Sequence, residues 1–423
     1  MMSGFVRHWL VAAVLLVTTV AAAQSNLPPD TSDIRAQHAD TAVSLLSDLV
    51  TLPPMVYESR GGTETLVTVE QNSQYVYLLF VPELDGEFPI DSAGSYILRR
   101  RRSDGEIDQL KIFLRSDPRF FVRIWPDMAT RSTMSVYLAG APIALSIPIP
   151  LGIETILSEP LQLLLRTAEA RVDWSLFYPE TDLDEYRVVE WMAETTRSML
   201  HTLPDADDGA MDENGNLVLI DSLVLQDQEA GFNCSGFAKW VVDGLHMGLY
   251  GTYLPIEPLK ERHLDLRGNE WSQALEDERD PYFGLDWTRN LATAMILSGE
   301  GGREVNPESA DVRSVPFTEY VEDVGYPVAR LEQVMYLLAI QEPGNIYLAS
   351  VNQEFGERPV LRQHVHVAVL FPYFDEDGEF RIDVMERNVE SSVDSLIRRY
   401  EEDSIHLVRV RADYSYTPPL IRD

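Results

Sequence analysis

Between residues 63 and 150 the chain alternates apolar and polar positions in short runs cut by Gly, Pro, Asp or Ser. The runs are TETLVTVEQ, QYVYLLFVP, GSYILRRRR, IDQLKIFLR, RFFVRIWP, TMSVYLAG and APIALSIPIP. Each is short, rich in Val, Ile, Tyr or Phe and bounded by turn residues, the signature of a strand. About seven such segments at this spacing predict a small β-sandwich or barrel. Residues 24 to about 60 are polar and mixed, with a short helix expected around HADTAVSLLSDLV. From about 152 to 202 the apolar period lengthens to i, i+3, i+4 in IETILSEPLQLLLRTAEA and DEYRVVEWMAETTRSMLHTL, which predicts helices.

Further on, helix and strand patterns mix. In GFNCSGFAKWVVDGLHMGLYG, Phe237, Trp240, Val241, Leu245 and Leu249 fall on one helical face, so a buried helix should begin near Ser235. Gly248 and Gly251 supply its stop. In LRQHVHVAVLF the alternation is strict: Leu361, Val365, Val367, Val369 and Phe371 face one way, and His364, His366, Ala368 and Leu370 the other. PYFDEDGEF makes a hairpin turn, and on the strand after it Phe380, Ile382, Val384, Glu386 and Asn388 share a face. The pattern divides the chain into a β-rich accessory domain over 24–151, a helical linker over 152–204 and a second domain over 205–423. The second domain carries a largely helical insertion at about 253–340. The fold class is α+β.

Composition narrows the partners. The formal net charge is −34, from 68 acidic and 34 basic residues. Such a surface repels phosphate backbones, so nucleic acid is not an expected partner. The arginines at 99–102 read as a solvated strand end, and the acidic stretch DADDGAMDENGN at 205–216 as a solvated turn without calcium-loop spacing. At the N-terminus, Arg7 precedes an apolar core from Trp9 to about Ala22 and small residues follow, so residues 1–23 read as a secretory signal. That core is too short to span a bilayer, and no other apolar run reaches the ~20 residues required. The mature chain is expected outside the cytoplasm, in the periplasm or beyond.

That expectation makes Cys234 conspicuous, because it is the single cysteine of the chain and exported cysteines usually pair. A lone thiol can be a small buried hydrophobe. At a helix N-terminus, however, unpaired amides and the dipole favour a thiolate, which as a nucleophile requires a base and an orienting group. His366 and His364 are the candidate bases. The same two imidazoles could hold a metal, but no third ligand stands at suitable spacing, and no metal or cofactor is expected. Glu386 ends an apolar row and needs a partner. Pairing across the hairpin would bring it to His366, with Asn388 as the reserve.

NCSGF resembles the DCSG signature of the NlpC/P60 cysteine peptidases, a papain-like group that cuts cell-wall peptides. EPGNIYLASV at 342–351 resembles that family's Pro-Gly-initiated strand, and HVAVLF at 366–371 its histidine strand, with Ala368 at the small-residue place. The resemblance implies an NlpC/P60-type second domain with Cys234 as nucleophile, His366 as general base and acid, and Glu386 as orienter. It implies a peptide or peptidoglycan substrate. Asn233 stands where the family has aspartate, and the upstream tyrosine has no clear equivalent; Gln226 or Gln228, with the Cys234 amide, are the candidate oxyanion donors. Two other readings stay open: a non-catalytic envelope binding or structural protein on the same fold, and a thiol acyltransferase or transglutaminase-like enzyme.

Overall fold

A computed structural model describes residues 27–227, 230–262, 280–299, 305–356 and 361–421. The proposed signal segment and Gln228 lie outside the described residues, as do residues 263–279 and 300–304 of the expected insertion. The chain forms two compact units, Met1–Pro179 and Glu180–Asp423. Among the described residues, no helix is long and apolar enough to cross a membrane.

The first unit holds eight strands: β1 (Met55–Glu58), β2 (Glu64–Gln71), β3 (Tyr75–Pro82), β4 (Tyr96–Arg101), β5 (Ile107–Phe113), β6 (Phe121–Met128), β7 (Arg131–Leu138) and β8 (Ala141–Ile149). Every strand pairs antiparallel with its neighbour in sequence, giving one eight-stranded meander. This corrects the expected sandwich. Most of the connections are tight turns, such as Ala139–Gly140 and Ala129–Thr130, which permit hairpins and leave no crossover to build a second sheet. Among the described residues, five α-helices belong to the same unit: α1 (Ser32–Gln37), α2 (Ala39–Val43), α3 (Leu46–Leu49), α4 (Ile153–Ser158) and α5 (Leu161–Ala168).

The helices α4 and α5 are not a linker. Arg35, 1% exposed, donates from Nε to Leu157 O at 2.8 Å and from Nη2 to Glu159 O at 2.7 Å, and its guanidinium lies 3.8 Å from the Tyr96 ring centroid. A buried cation must be satisfied on all sides, so this residue ties α1 to α4 and to the sheet within one core. The boundary therefore falls at Pro179–Glu180, inside the stretch expected to be a linker. The arginine run is only partly solvated: Arg100 is buried and donates to Ala42 O, Ser44 O and Gly105 O, satisfying carbonyls at the end of α2.

The second unit opens with α6 (Asp184–Met199), followed by a hairpin of β9 (Ala210–Met211) and β10 (Leu217–Val218), then α7 (Cys234–Tyr250) and α8 (Phe283–Gly299). After them come β11 (Tyr326–Pro327), α9 (Leu331–Gln341), β12 (Asn345–Phe355), β13 (Leu361–Phe374), β14 (Phe380–Glu386), β15 (Val389–Ser391), α10 (Val393–Tyr400) and β16 (Ser404–Arg411). The six strands β11 to β16 form an antiparallel sheet in the order β11-β16-β12-β13-β14-β15. Its centre, Ile346–Ala349 on β12 and Val367–Phe371 on β13, is fully buried. The acidic stretch 205–216 closes the β9–β10 hairpin, where Asp212 Oδ1 accepts from the amides of Asn214 and Asn216 at 2.9 and 2.7 Å.

The described part of the expected insertion belongs to this core. Trp287, Arg289 and Leu291 of α8 are fully buried, and Trp287 Nε1 donates to Ser235 O on α7 at 2.9 Å. Asn290 Nδ2 donates to Leu259 O and Glu261 O at 2.8 Å each, pinning the preceding loop. Its helical pattern reflects a helix required by the sheet, not an appended subdomain.

Candidate active site

Helix α7 begins one residue before the expected start, and its first turn explains NCSG. Asn233, in extended conformation, accepts the Gly236 amide on Oδ1 at 2.8 Å and caps the helix. A Cβ on Gly236 would stand 1.9 Å from Gly209 O, so only glycine lets the helix start sit against the backbone before β9. Gly251, at φ 77°, ends the helix in the left-handed region. The helix is buried on every side from Ser235 to His246, whereas Leu249 is 42% exposed. Cys234 is thus fixed at the helix N-terminus, partly exposed and without a disulfide partner.

Strand β13 brings the imidazole. Its register against β12 jumps: His366 pairs with Val351, but His364 pairs with Asn352. Val365 is the extra residue of a β-bulge. Because Val351 and Asn352 point to opposite faces, the bulge sends the two histidines to opposite faces as well, which corrects the strict alternation expected for this strand. His364 is buried, with Nδ1 2.9 Å from Ser350 Oγ and Nε2 3.1 Å from Asp323 O. Burial, aided by the neighbouring His406, pushes it down to about 3, so it is a neutral core histidine.

His366 meets Cys234 side chain to side chain, and its Nε2 lies 2.5 Å from Glu386 Oε2. With Nε2 taken, Nδ1 is the nitrogen left for the sulfur. The β13–β14 register pairs Val369 with Met385. Extending that register by one residue beyond the ladder sets Glu386 opposite Ala368, whose methyl leaves room for the carboxylate to reach diagonally to His366. The same ladder stops at Val369, so the Val367 amide lies past its end and donates to the Cys234 sulfur.

The charges reinforce this geometry. Burial alone would raise the Cys234 thiol, but the His366 hydrogen bond and charge, the Val367 amide and the Arg387 guanidinium outweigh it and bring the thiol below its ordinary value. Burial would lower His366; the hydrogen bonds and negative charge of Cys234 and Glu386 lift it to about 9. Glu386, although buried, is held down to about 2 by donors from His366, Arg399 and Ser391. Together these shifts favour the Cys234 thiolate, the His366 imidazolium and the Glu386 carboxylate over their uncharged or unpaired forms.

The remaining predicted residues lie elsewhere. Asn388 donates to Leu203 O at 2.9 Å and takes no part in orienting His366. Gln226 braces its own loop: Nε2 donates to Val218 O and Gly231 O at 3.0 and 3.1 Å, and Oε1 accepts the Gly231 amide at 2.8 Å. Both its amide hydrogens are used, so it is not the oxyanion donor. The first-turn amides of Cys234 and Ser235 have no intrahelical acceptor by construction. Arg387 escaped the sequence reading; at φ 54° it turns between β14 and β15 and pairs with Asp205 at 3.0 Å. Arg399, Ser391 and Tyr400, whose ring stacks 6.2 Å from that of His366, were also missed. Among the described residues, no cluster of acidic, histidine or cysteine side chains is arranged to hold a metal.

Comparison with known proteins addresses the other unit of the chain. Residues 24–176 match the family described as Domain of unknown function (DUF8515). The match lies in the first unit and stops short of every site residue. No curated protein and no solved structure matches the chain.

Proposed function

We propose that the chain is an exported NlpC/P60-like thiol hydrolase of peptide or amide bonds, with cell-wall stem peptides as its substrate class. The observation that carries the reading is the line from the Cys234 sulfur through the His366 ring to the Glu386 carboxylate, joined at 2.5 Å on the far side of the imidazole. A helix bearing the cysteine, followed by antiparallel strands bearing the histidine and its partner, supports the NlpC/P60-like assignment.

In the reaction the Cys234 thiolate attacks the scissile carbonyl carbon and the carbonyl π electrons move to oxygen. The Cys234 backbone amide at the α7 N-terminus donates to the developing oxyanion. The C–N bond breaks as His366 gives its proton to the leaving amine, leaving a thioester. Neutral His366 then takes a proton from water, the hydroxide adds, and the C–S bond breaks to restore the pair and release a carboxylic acid, which loses its proton to solvent. Glu386 fixes the ring and stabilises its charged form throughout.

Purified muropeptides and iodoacetamide provide the test. The expected result is stem-peptide cleavage by the native protein, none by Cys234→Ala, and alkylation confined to Cys234 with a rate that persists well below the ordinary thiol range. A thiol that is inert in the folded protein, or muropeptide turnover unaffected by Cys234→Ala, overturns the proposal. Amine incorporation in place of hydrolysis would assign the acyl-enzyme to transfer.

A further inference from the structure

Arg399 stands on α10, the helix that follows β15. Its Nη2 donates to Glu386 Oε1 at 2.5 Å, while Glu386 Oε2 faces His366 Nε2 at 2.5 Å. Ser391, opposite Val384 on β15, donates to the same carboxylate. Both carboxylate oxygens are therefore held, and the group cannot rotate without losing a charge-assisted hydrogen bond. The next residue, Tyr400, lays its ring over His366 with 22° between the planes. The helix is anchored by Leu396, fully buried, and capped by Ser392, which accepts the Ser395 amide at 3.2 Å.

We infer that Arg399 is a positioning residue for the proposed thiol chemistry, fixing the Glu386 carboxylate against His366. This rests on the hydrolase reading for its purpose but not for its geometry. Glu386 is 5% exposed, so with Arg399 removed His366 and Ser391 alone offset the burial, the neutral acid gains ground, and a protonated Glu386 no longer supports the imidazolium. The Arg399 side chain is 43% exposed, which makes its replacement a test of the site and not of the core.

The experiment measures iodoacetamide alkylation of Cys234 at pH 5 and pH 8 in Arg399→Met and Arg399→Lys, each with native Glu386 and with Glu386→Gln. Arg399→Met is expected to slow alkylation about fivefold at pH 5 and less than about twofold at pH 8, with lysine restoring most of the loss. In the Glu386→Gln background neither change should add anything. An unaltered rate at pH 5, or an equal drop when Glu386 is already glutamine, overturns the inference. Where Cys234 proves inert in the native protein, the hydrolase reading falls and Arg399 is judged separately by the proton NMR signal of His366 Nε2–H. That signal is expected far downfield in the native chain, lost in Arg399→Met and kept in Arg399→Lys; its survival in Arg399→Met overturns the inference.

Discussion

Glu386 reaches His366 diagonally across β13 and β14, with Nε2 and Oε2 2.5 Å apart, because the residue directly opposite it is Ala368. A glutamine at 386 keeps the shape and removes the charge that supports the imidazolium. The native pair holds its proton up to about 9, so hydrolysis is expected to fall above that pH as the general acid is lost. In Glu386→Gln the alkaline fall should begin at lower pH, because the folded imidazole loses its anionic partner, and the rate at neutral pH should drop about tenfold or more. A pH–rate profile of both proteins checks this; superimposable alkaline limbs would remove Glu386 from the mechanism.

Ala368 leads to a second expectation. Its side chain is fully buried, and a larger residue there would stand between Glu386 and His366. Ala368→Val is expected to cost about 1–3 kcal/mol in stability by overpacking and to lose more activity than that destabilisation accounts for. Urea unfolding and turnover on the same samples separate the two effects. Full activity in a folded Ala368→Val protein would show that the diagonal contact is dispensable.

The site was legible in sequence where a local pattern carried it. The helical spacing of Phe237, Trp240, Val241 and Leu245 marks a buried helix that begins beside Cys234, and the apolar row ending at Glu386 calls for a partner one hairpin away. What was not legible depended on contacts distant in sequence. The bulge at Val365 leaves no compositional mark, since β-branched residues continue through it, yet it separates His364 from His366. Arg399 lies on a short, strongly amphipathic helix and Ser391 on a three-residue strand, and neither pattern names a partner: only the β14–β15 turn and α10 bring them to Glu386. Nor does a run of short strands tell one meander from two packed sheets. In α8, the largely apolar pattern reads equally as an insertion or as core until Trp287 is seen against α7.

Helix α7 carries a buried ion pair that makes a third prediction. Lys239 Nζ and Asp243 Oδ2 are 2.6 Å apart with both side chains fully buried, and Asp243 Oδ1 accepts the Leu254 amide at 2.8 Å. Lys239→Met or Asp243→Leu alone leaves an unbalanced partner and should cost about 3–5 kcal/mol. The double change Lys239→Met/Asp243→Leu should cost less than the sum, retaining about 1–3 kcal/mol for the unsatisfied Leu254 amide. Chemical denaturation of the cycle tests this; strict additivity would mean that the charges do not stabilise one another.

The last prediction concerns acid stability, and it comes from the histidine the bulge turned away from the thiol. His364 is lowered by burial to about 3, below the ~6.5 of an unfolded chain. Between those values the unfolded state binds the extra proton, so this group removes stability as pH falls through that window, at up to about 1.4 kcal/mol per pH unit. Glu386, held at about 2, begins to act only below the ~4.5 of a free carboxyl, where its protonation removes stability too. The interval from 6.5 to 4.5 therefore isolates the histidines from Glu386. Asp243, raised to about 6 by burial, works in the opposite sense there, because its folded form takes up protons first. Comparing the native protein with His364→Gln cancels that background: the variant should start less stable at pH 8 and lose stability more slowly down to pH 4.5. Unfolding free energies at four or five pH values decide it, and parallel curves would mean that His364 is protonated in the fold.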